Sequence, residues 1–432
     1  VKDTYDRVTV IGLGQIGIPT ALAFAHAGIK VTGVDSDPGR LRQLKMGDFC
    51  VPEHLDNRAD DLRSIGLSSS LDSVPDADAV VICIPLLMSR SSLRRPVPHW
   101  GPFDSLVRQV AERLTAGTLV SVETTVVPGT TRHRVAPMLE EGGLCVGEDV
   151  WLVHAPERLM PGSAVRSYRS TARVVGGCTS ECALSGRSLY RRVVNRVVPD
   201  TCDMAEMSKL VENAHRYVNI AFANEVAVAC DDYGINVHSL YQLMDAVAAS
   251  RRFLRHGPGV GGSCLMKDTQ LLAHGMGDPQ LLDAAMRVNL HMPCHVADLV
   301  VEALNSAGVA RGDAVVVLLG TAYRPGVALD TNSPARVVGD ELADYHIGEI
   351  RLHDPHVSAN SGSIAEALSG ADCAVFLVRH PEYMWGEIPA DVMKAMMRTP
   401  IIVDACDATN PGMYVKAGFA HVGVGTGVRG GA

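Results

Sequence analysis

Six residues, Gly12-Leu-Gly-Gln-Ile-Gly17, constrain the fold more than any other stretch of the chain. They follow an apolar run at 7–11 (Arg-Val-Thr-Val-Ile) and precede an alanine-rich run at 19–27, closed by Gly28. A second apolar run at 30–34 ends at Asp35. Strand, glycine turn, helix and second strand make a βαβ unit, in which the helix carries the chain back so that the strands run parallel. The first glycine of such a turn permits the tight bend, the second lets backbone approach a pyrophosphate, and the third lets the helix pack on the strand. Gln15 and Ile16 fall inside the same turn, and the helix that follows presents its positive end to the phosphates. Asp35 is placed to accept the ribose hydroxyls and repel a 2′-phosphate, so NAD is expected over NADP, with Arg40 nearby tempering that preference. The plainer alternative is a turn in an unrelated α/β fold.

At 432 residues the chain exceeds one ordinary core. Apolar runs at 78–84, 118–123 and 150–154 predict further strands with helices between them, hence a parallel sheet wound on both sides. From about 203 the pattern becomes helical. Met207, Leu210, Val211, Ala214, Val218 and Ala221 recur at helical spacing and predict one buried face on a helix reaching Asp232, with Gly234 just beyond. Further helix is expected at 237–248 and 279–307. Strand patterns return at 313–319, 349–353, 372–378 and 400–404. The expected fold is α/β: two Rossmann-like doubly wound domains, 1–200 and 309–432, joined by a central helical domain, 201–308, with a long helix.

A hydrophobic fraction of 47% with 20% charged residues fits a soluble globular enzyme. No apolar run has the length of a membrane span, and no export signal opens the chain, so no membrane partner is expected. The 11 cysteines are scattered without zinc-type spacing, which predicts a reduced, cytoplasmic setting and no metal. A net charge of −9 argues against a nucleic-acid partner and requires a local basic pocket for any anionic substrate.

The second informative stretch is 259–269, Gly-Val-Gly-Gly-Ser-Cys-Leu-Met-Lys-Asp-Thr. Gly257, Gly259, Gly261 and Gly262 make a loop whose bare backbone can close around a ligand. Cys264 ends that loop, with Lys267 and Asp268 just after it. A cation near a thiol favours the nucleophilic thiolate, so oxidation through a covalent sulfur intermediate is expected. The alternative for any free cysteine is a small buried hydrophobe, the expected fate of the other ten, Cys83 and Cys373 included. Cys294, beside His295, is a weaker nucleophile, lacking a glycine loop. Upstream, Lys209 and Asn213 share a helix face, and Asn224 falls near it.

Taken in order, these motifs resemble the UDP-glucose/GDP-mannose dehydrogenase superfamily over nearly the whole chain. The match includes Glu123-Thr-Thr-Val-Val-Pro-Gly-Thr-Thr131, Ala155-Pro-Glu-Arg-Leu-Met-Pro-Gly162, Lys209-Leu-Val-Glu-Asn213, the Cys264 loop, Gly320-Thr-Ala-Tyr-Arg-Pro325 and His353-Asp-Pro355. The resemblance implies four-electron oxidation of a nucleotide-sugar 6-hydroxymethyl group to a carboxylate with two NAD molecules, through a thiohemiacetal and a thioester on Cys264. It gives Lys209 and Asn213 oxyanion stabilisation, Asp268 proton handling or the holding of Lys209, and Thr125 and Glu157 the positioning and activation of water. Pro85, Thr125 and Lys267 join the cofactor set. Glu157, Arg158, Leu159, Met160, Lys209, Asn213, Arg252, Phe253, Leu254, Gly257, Gly261, Cys264, Tyr323 and Arg324 are the implied substrate contacts. The family also uses its long helix to dimerise, which implies a homodimer.

Departures cluster at ligand positions. The family's Pro-Thr-Pro is Pro85-Leu86-Leu87, Thr331 and Cys406 replace arginines, and Ser250 stands where another is expected, with Arg251 and Arg252 beside it. The 157–162 stretch resembles the UDP-N-acetylhexosamine branch, and 262–268 resembles the UDP-glucose and GDP-mannose branches, so sugar and base stay open. A two-electron hydroxyacid or 6-phosphogluconate-type dehydrogenase, or a non-catalytic nucleotide-sugar-binding protein, are the competing readings.

Overall fold

The computed structural model describes residues 4–47, 62–89, 96–159, 167–247, 253–384 and 389–427. Met160, Ser250, Arg251 and Arg252 lie outside the described residues. The chain forms two compact units, one of Val1–Glu212 with Asp268–Gly277, the other of Asn213–Lys267 with Asp278–Ala432.

The first unit holds an 8-stranded sheet in the order β10-β9-β8-β7-β4-β1-β2-β3. Its strands are β1 (Arg7–Ile11), β2 (Lys30–Val34), β3 (Ile65–Ser68), β4 (Ala79–Ile82), β7 (Leu119–Val122), β8 (Trp151–His154), β9 (Arg173–Gly177) and β10 (Val197–Thr201). A separate hairpin joins β5 (Leu87–Ser89) to β6 (Val97–His99). Every residue of β4 and β7 is buried, the continuous apolar pattern of strands covered on both faces. The helices are α1 (Gly17–His26), α2 (Pro38–Met46), α3 (Gly101–Ala111), α4 (Ala136–Glu140) and α5 (Ser180–Tyr190). Local chemistry sets their ends. Asp37 accepts from the N–H of Gly39 before α2, Pro38 opens it, and Gly47 closes it at φ 73°.

The expected parallel run is corrected at one place: β8 and β9 pair antiparallel, while β9 and β10 are parallel. β9 went unread because it ends on two glycines, which disfavour a strand in isolation. Packing explains them. A Cβ at Gly177 would lie 2.3 Å from the Ala183 nitrogen of α5, and one at Gly176 would lie 2.2 Å from the Thr201 carbonyl oxygen of β10.

Helix α6 spans Cys202–Tyr233, followed by α7 (Val237–Val247), α8 (Leu265–His274) and α9 (Gln280–Ser306). The expected single buried face of α6 is also corrected. Leu210, Ala214 and Ala221 are buried, but Met207 and Val211 are 42% and 47% exposed, together with Met204 and Phe222. The apolar pattern is wide enough for two stripes, and only one packs within the chain. The second unit carries a 5-stranded parallel sheet, β12-β11-β13-β14-β15, built from β11 (Val315–Leu319), β12 (Glu349–His353), β13 (Cys373–Phe376), β14 (Ile401–Asp404) and β15 (Ala420–Gly423). β11 begins later than expected, because Arg311–Asp313 form a 3-10 turn. Helix α10 (Pro334–Asp344) follows, with Ser333 accepting from the Ala335 N–H and Pro334 at its start. The expectation that ten cysteines are buried is corrected too: Cys145 is exposed, and Cys83, Cys178 and Cys294 are half-buried.

Candidate active site

At the end of β1 the three glycines have separate tasks. Gly12 adopts φ 92°, and a Cβ there would press on Cys83 and Ile84 at 3.0 Å. A Cβ at Gly17 would lie 1.8 Å from the Gly12 carbonyl oxygen, so the helix reaches the strand only without a side chain. Around Gly14 there is open space, as a pyrophosphate approaching the backbone requires. No side chain caps α1 at Ile16, which leaves its start to an anion. Gln15 and Pro85 are exposed, and Arg40 is half-buried. Asp35 accepts the Leu13 N–H at 2.8 Å and the Asp37 N–H at 2.9 Å. Its half-buried carboxylate braces the turn while keeping acceptor capacity for a ribose. These residues fit a dinucleotide.

Beyond β7 and β8 lie the charged residues of the first unit. Lys209 of α6 is buried and pairs with Glu157 at 3.6 Å, while the other Glu157 oxygen accepts the Leu159 N–H at 2.6 Å. Arg158 donates to Glu212 at 2.7 Å and to Ser208 at 2.9 Å, fixing the 155–159 segment to α6. Lys209 is therefore no solvated surface lysine. Thr125 is half-buried beside Thr124, which donates to the Ile84 carbonyl at 2.7 Å. Asp268 is buried, and Leu271 one turn later packs in the same core as Leu210.

In the second unit Cys264 is exposed at the start of α8, its sulfur 3.7 Å from the Ser263 hydroxyl. A helix start favours an anion, so this position supports the thiolate. The loop before it is built on close approach. A Cβ at Gly261 would lie 2.8 Å from Tyr323 Cβ and 2.9 Å from the Asn332 carbonyl oxygen, and one at Gly262 would lie 3.0 Å from the Tyr323 ring. The Gly262 N–H donates to Thr331 at 3.1 Å. Behind the loop, buried Asn224 accepts the Gly257 N–H and donates to Asn289, each at 2.9 Å. Tyr323 thus supports the loop with one ring face, and its phenol is pushed up by burial. Phe253, Leu254, Arg324, Lys267 and Asn213 are half-buried.

The comparisons with known proteins extend over nearly the whole chain. Residues 6–194 match the NAD-binding domain of the UDP-glucose/GDP-mannose dehydrogenase family, 203–291 its central domain and 317–411 its UDP-binding domain. The chain is 34% identical over 430 residues to the UDP-N-acetyl-D-mannosamine dehydrogenase of Pyrococcus horikoshii, covering 98% of this chain and 99% of that one. The chain belongs to the UDP-glucose/GDP-mannose dehydrogenase family. The solved structure of the Pyrococcus enzyme superposes with a TM-score of 0.90 at 32% identity, over 98% and 99% of the two chains. An NDP-N-acetyl-D-galactosaminuronic acid dehydrogenase from Methanosarcina mazei superposes with a TM-score of 0.83 at 28% identity, over 98% and 96%. Family membership gives NAD as the cofactor and a nucleotide-sugar dehydrogenase as the enzyme class.

Sequence reasoning missed what holds the first unit's family motifs together. Glu123 and Arg173, both buried, form an ion pair at 3.4 Å. Glu123 also accepts from Thr20 at 3.0 Å and Tyr190 at 2.7 Å, and Arg173 donates to the Ala155 carbonyl at 2.9 Å and to Tyr168. One charge pair thereby ties α1, the 123–125 segment and the 155–159 segment. Burial opposes the charge on Arg173, but Glu123 and the tyrosines more than offset this and hold its proton. Glu206 was missed as well. It accepts the Gly129 N–H, the Thr131 N–H and the Thr131 hydroxyl at 2.5, 2.7 and 2.6 Å. Burial pushes its carboxyl up to about 7 against those bonds. Of these groups only Glu123 lies within a motif, the Glu123–Thr131 stretch; Arg173 and Glu206 carried no sequence signal.

Proposed function

We propose that this enzyme oxidises the 6-hydroxymethyl group of a UDP-N-acetylhexosamine, UDP-N-acetylmannosamine first, to the carboxylate in two NAD-dependent steps. The observation that carries the covalent route is the exposed Cys264 at the head of α8, behind a glycine loop pressed on Tyr323. The names of the relatives from Pyrococcus horikoshii and Escherichia coli, the latter 31% identical over 410 residues, support the sugar.

NAD, when bound, supplies the hydride acceptor for each oxidation. The alcohol loses a hydride from C6 and a proton from its hydroxyl to become an aldehyde. The Cys264 thiolate then adds to the carbonyl carbon, forming a C–S bond and a thiohemiacetal. Loss of the second C6 hydride and of the hydroxyl proton leaves a thioester. Water attacks it, the C–S bond breaks, and carboxylate, thiolate and the two water protons are released. Lys209 carries the positive charge that answers oxyanion development, with Asn213 as a second donor. Glu157, held by Lys209 and the Leu159 N–H, is set to orient water together with Thr125. Asp268 serves as a proton-handling group of the same reaction.

The test is product analysis with a panel of UDP- and GDP-sugars. The wild-type chain is expected to form two NADH per carboxylate. Cys264→Ala should lose acid formation, and Cys264→Ser should stop at or before the ester stage. One NADH per turnover would instead mean a two-electron dehydrogenase, and full acid from both variants would sink the covalent route. The exposed stripe of Met204, Met207, Val211 and Phe222 on α6 supports a homodimer, measurable by light scattering. No described helix is long and apolar enough to cross a membrane.

A further inference from the structure

Strands β9 and β10 run parallel, and Gly177 opposite Thr201 is their last matched pair. The next residue on each is a cysteine, Cys178 and Cys202. Neighbouring strands lie about 4.8 Å apart, and residues matched across a parallel pair point to the same face. That spacing is within the Cα separation of roughly 4.4–6.8 Å that a disulfide spans. The two sulfurs are 3.7 Å apart, in contact but unbonded. Arg132 lies beside them, donating to the Cys178 carbonyl at 2.9 Å and to Asp203 at 3.0 Å. The two thiols also differ in character. The hydrogen bond between them holds the Cys202 thiol below the usual range and, with burial, raises that of Cys178.

We propose that Cys178 and Cys202 are a redox-active dithiol, which a peroxide converts to a disulfide clamping edge strand β10 and the first turn of α6 onto β9. One thiol of the pair, as the thiolate, attacks a peroxide oxygen; the O–O bond breaks, and the departing hydroxide takes up that thiol's proton, leaving a sulfenic acid and one water. The other sulfur then attacks the oxidised sulfur. The S–S bond forms, the S–O bond breaks, and a second water leaves with the second thiol's proton. Two electrons from the sulfurs reduce one peroxide to two waters, and a small thiol reverses the change. The bridge closes at the first residue of α6, two turns before Lys209. It is independent of Cys264 and of the reading of the substrate. Cys182 is the competing partner for Cys178, but its sulfur is already engaged, accepting the Leu152 N–H at 3.3 Å.

The experiment treats the folded full-length chain with hydrogen peroxide, blocks free thiols with an alkylating agent, and digests with trypsin without reduction. Cleavage after Arg173 and Arg187 places Cys178 and Cys182 in one peptide, and cleavage after Arg196 and Lys209 places Cys202 in another. The expected result is a cross-linked pair two hydrogens lighter than the separate peptides, with fragment ions locating the link at Cys178. It disappears with dithiothreitol, and it is absent from Cys178→Ser and Cys202→Ser. Exposed Cys264 serves as the internal control for peroxide reaction. A link through Cys182, oxidation to sulfinic acid without a link, or full alkylation of both thiols while Cys264 is oxidised would each overturn the proposal. The wild-type measurement decides the matter even if a variant folds poorly.

Discussion

The two sheets begin with the same corner, built to opposite ends. In the first unit Gly12, at φ 92°, donates to the Val34 carbonyl at 2.8 Å, and Asp35 after β2 accepts the Leu13 N–H. In the second, Gly320, at φ 97°, donates to the His353 carbonyl at 2.8 Å, and Asp354 after β12 accepts the N–H groups of Thr321 and Ala322, both at 2.7 Å. The difference is what remains. Asp35 is half-buried and Gly14 faces open space, with α1 starting three residues later. Asp354 is fully buried, paired with His380 at 3.1 Å, and also takes the N–H groups of His356 and Val357. No helix starts at this second corner, because α10 begins only at Pro334. A shared turn thus leaves donors for a ligand in one lobe and spends them on scaffolding in the other.

The comparison can be broken most severely at Gly17. Gly17→Ala is expected to cost about 3 kcal/mol or more, since its Cβ meets backbone rather than a movable side chain, and chemical denaturation would read the loss. Asp354→Asn should cost slightly less, about 3 kcal/mol, while leaving the KM for NAD unchanged. Burial alone would raise the Asp354 carboxyl, but His380 and the N–H groups of Ala322 and His356 hold it well below the usual range. Its contribution is therefore full above pH ~4 and is lost as pH falls further, and the asparagine variant should lack that acid-side slope. Gly14→Ala should leave the melting temperature nearly unchanged. It should raise the KM for NAD roughly tenfold, about 1.4 kcal/mol, because only a bound pyrophosphate would meet the methyl group. Asp35→Asn is expected to have the smallest overall effect, about 1 kcal/mol of stability, and to narrow the preference for NAD over NADP in paired kinetics.

The open corner was legible in the sequence because its glycines, its strand and its acid fall within one short span. The closed corner was not, although His353-Asp-Pro355 was noticed, because Asp354 finds its partners at 321–322, 356–357 and 380. Strand positions were readable to within a residue or two where both faces are buried, as in β4 and β7. β3 and β9 escaped because glycine-bearing strands carry little periodic signal, and β10 because Pro199 and Asp200 interrupt its apolar pattern. On α6, periodicity showed that Met207 and Val211 are apolar neighbours of Leu210 but could not show that they stay exposed. Lys209 is buried against Glu157 rather than solvated, and Asn224 emerges as the strut behind the glycine loop.

The ion pair of Glu123 and Arg173 also bears on how the protein is made. Thr20, Glu123, Ala155, Tyr168, Arg173 and Tyr190 contribute to one buried cluster from widely separated parts of the chain. Arg173 has no favourable place in a core until its acid and its carbonyl acceptor are present, and Glu123 lacks its cation until Arg173 has been synthesised. A nascent chain on the ribosome therefore cannot complete this cluster until Tyr190 has cleared the exit tunnel. A fragment cut before that point is expected to carry the sequence of the dinucleotide turn without the buried cluster behind it.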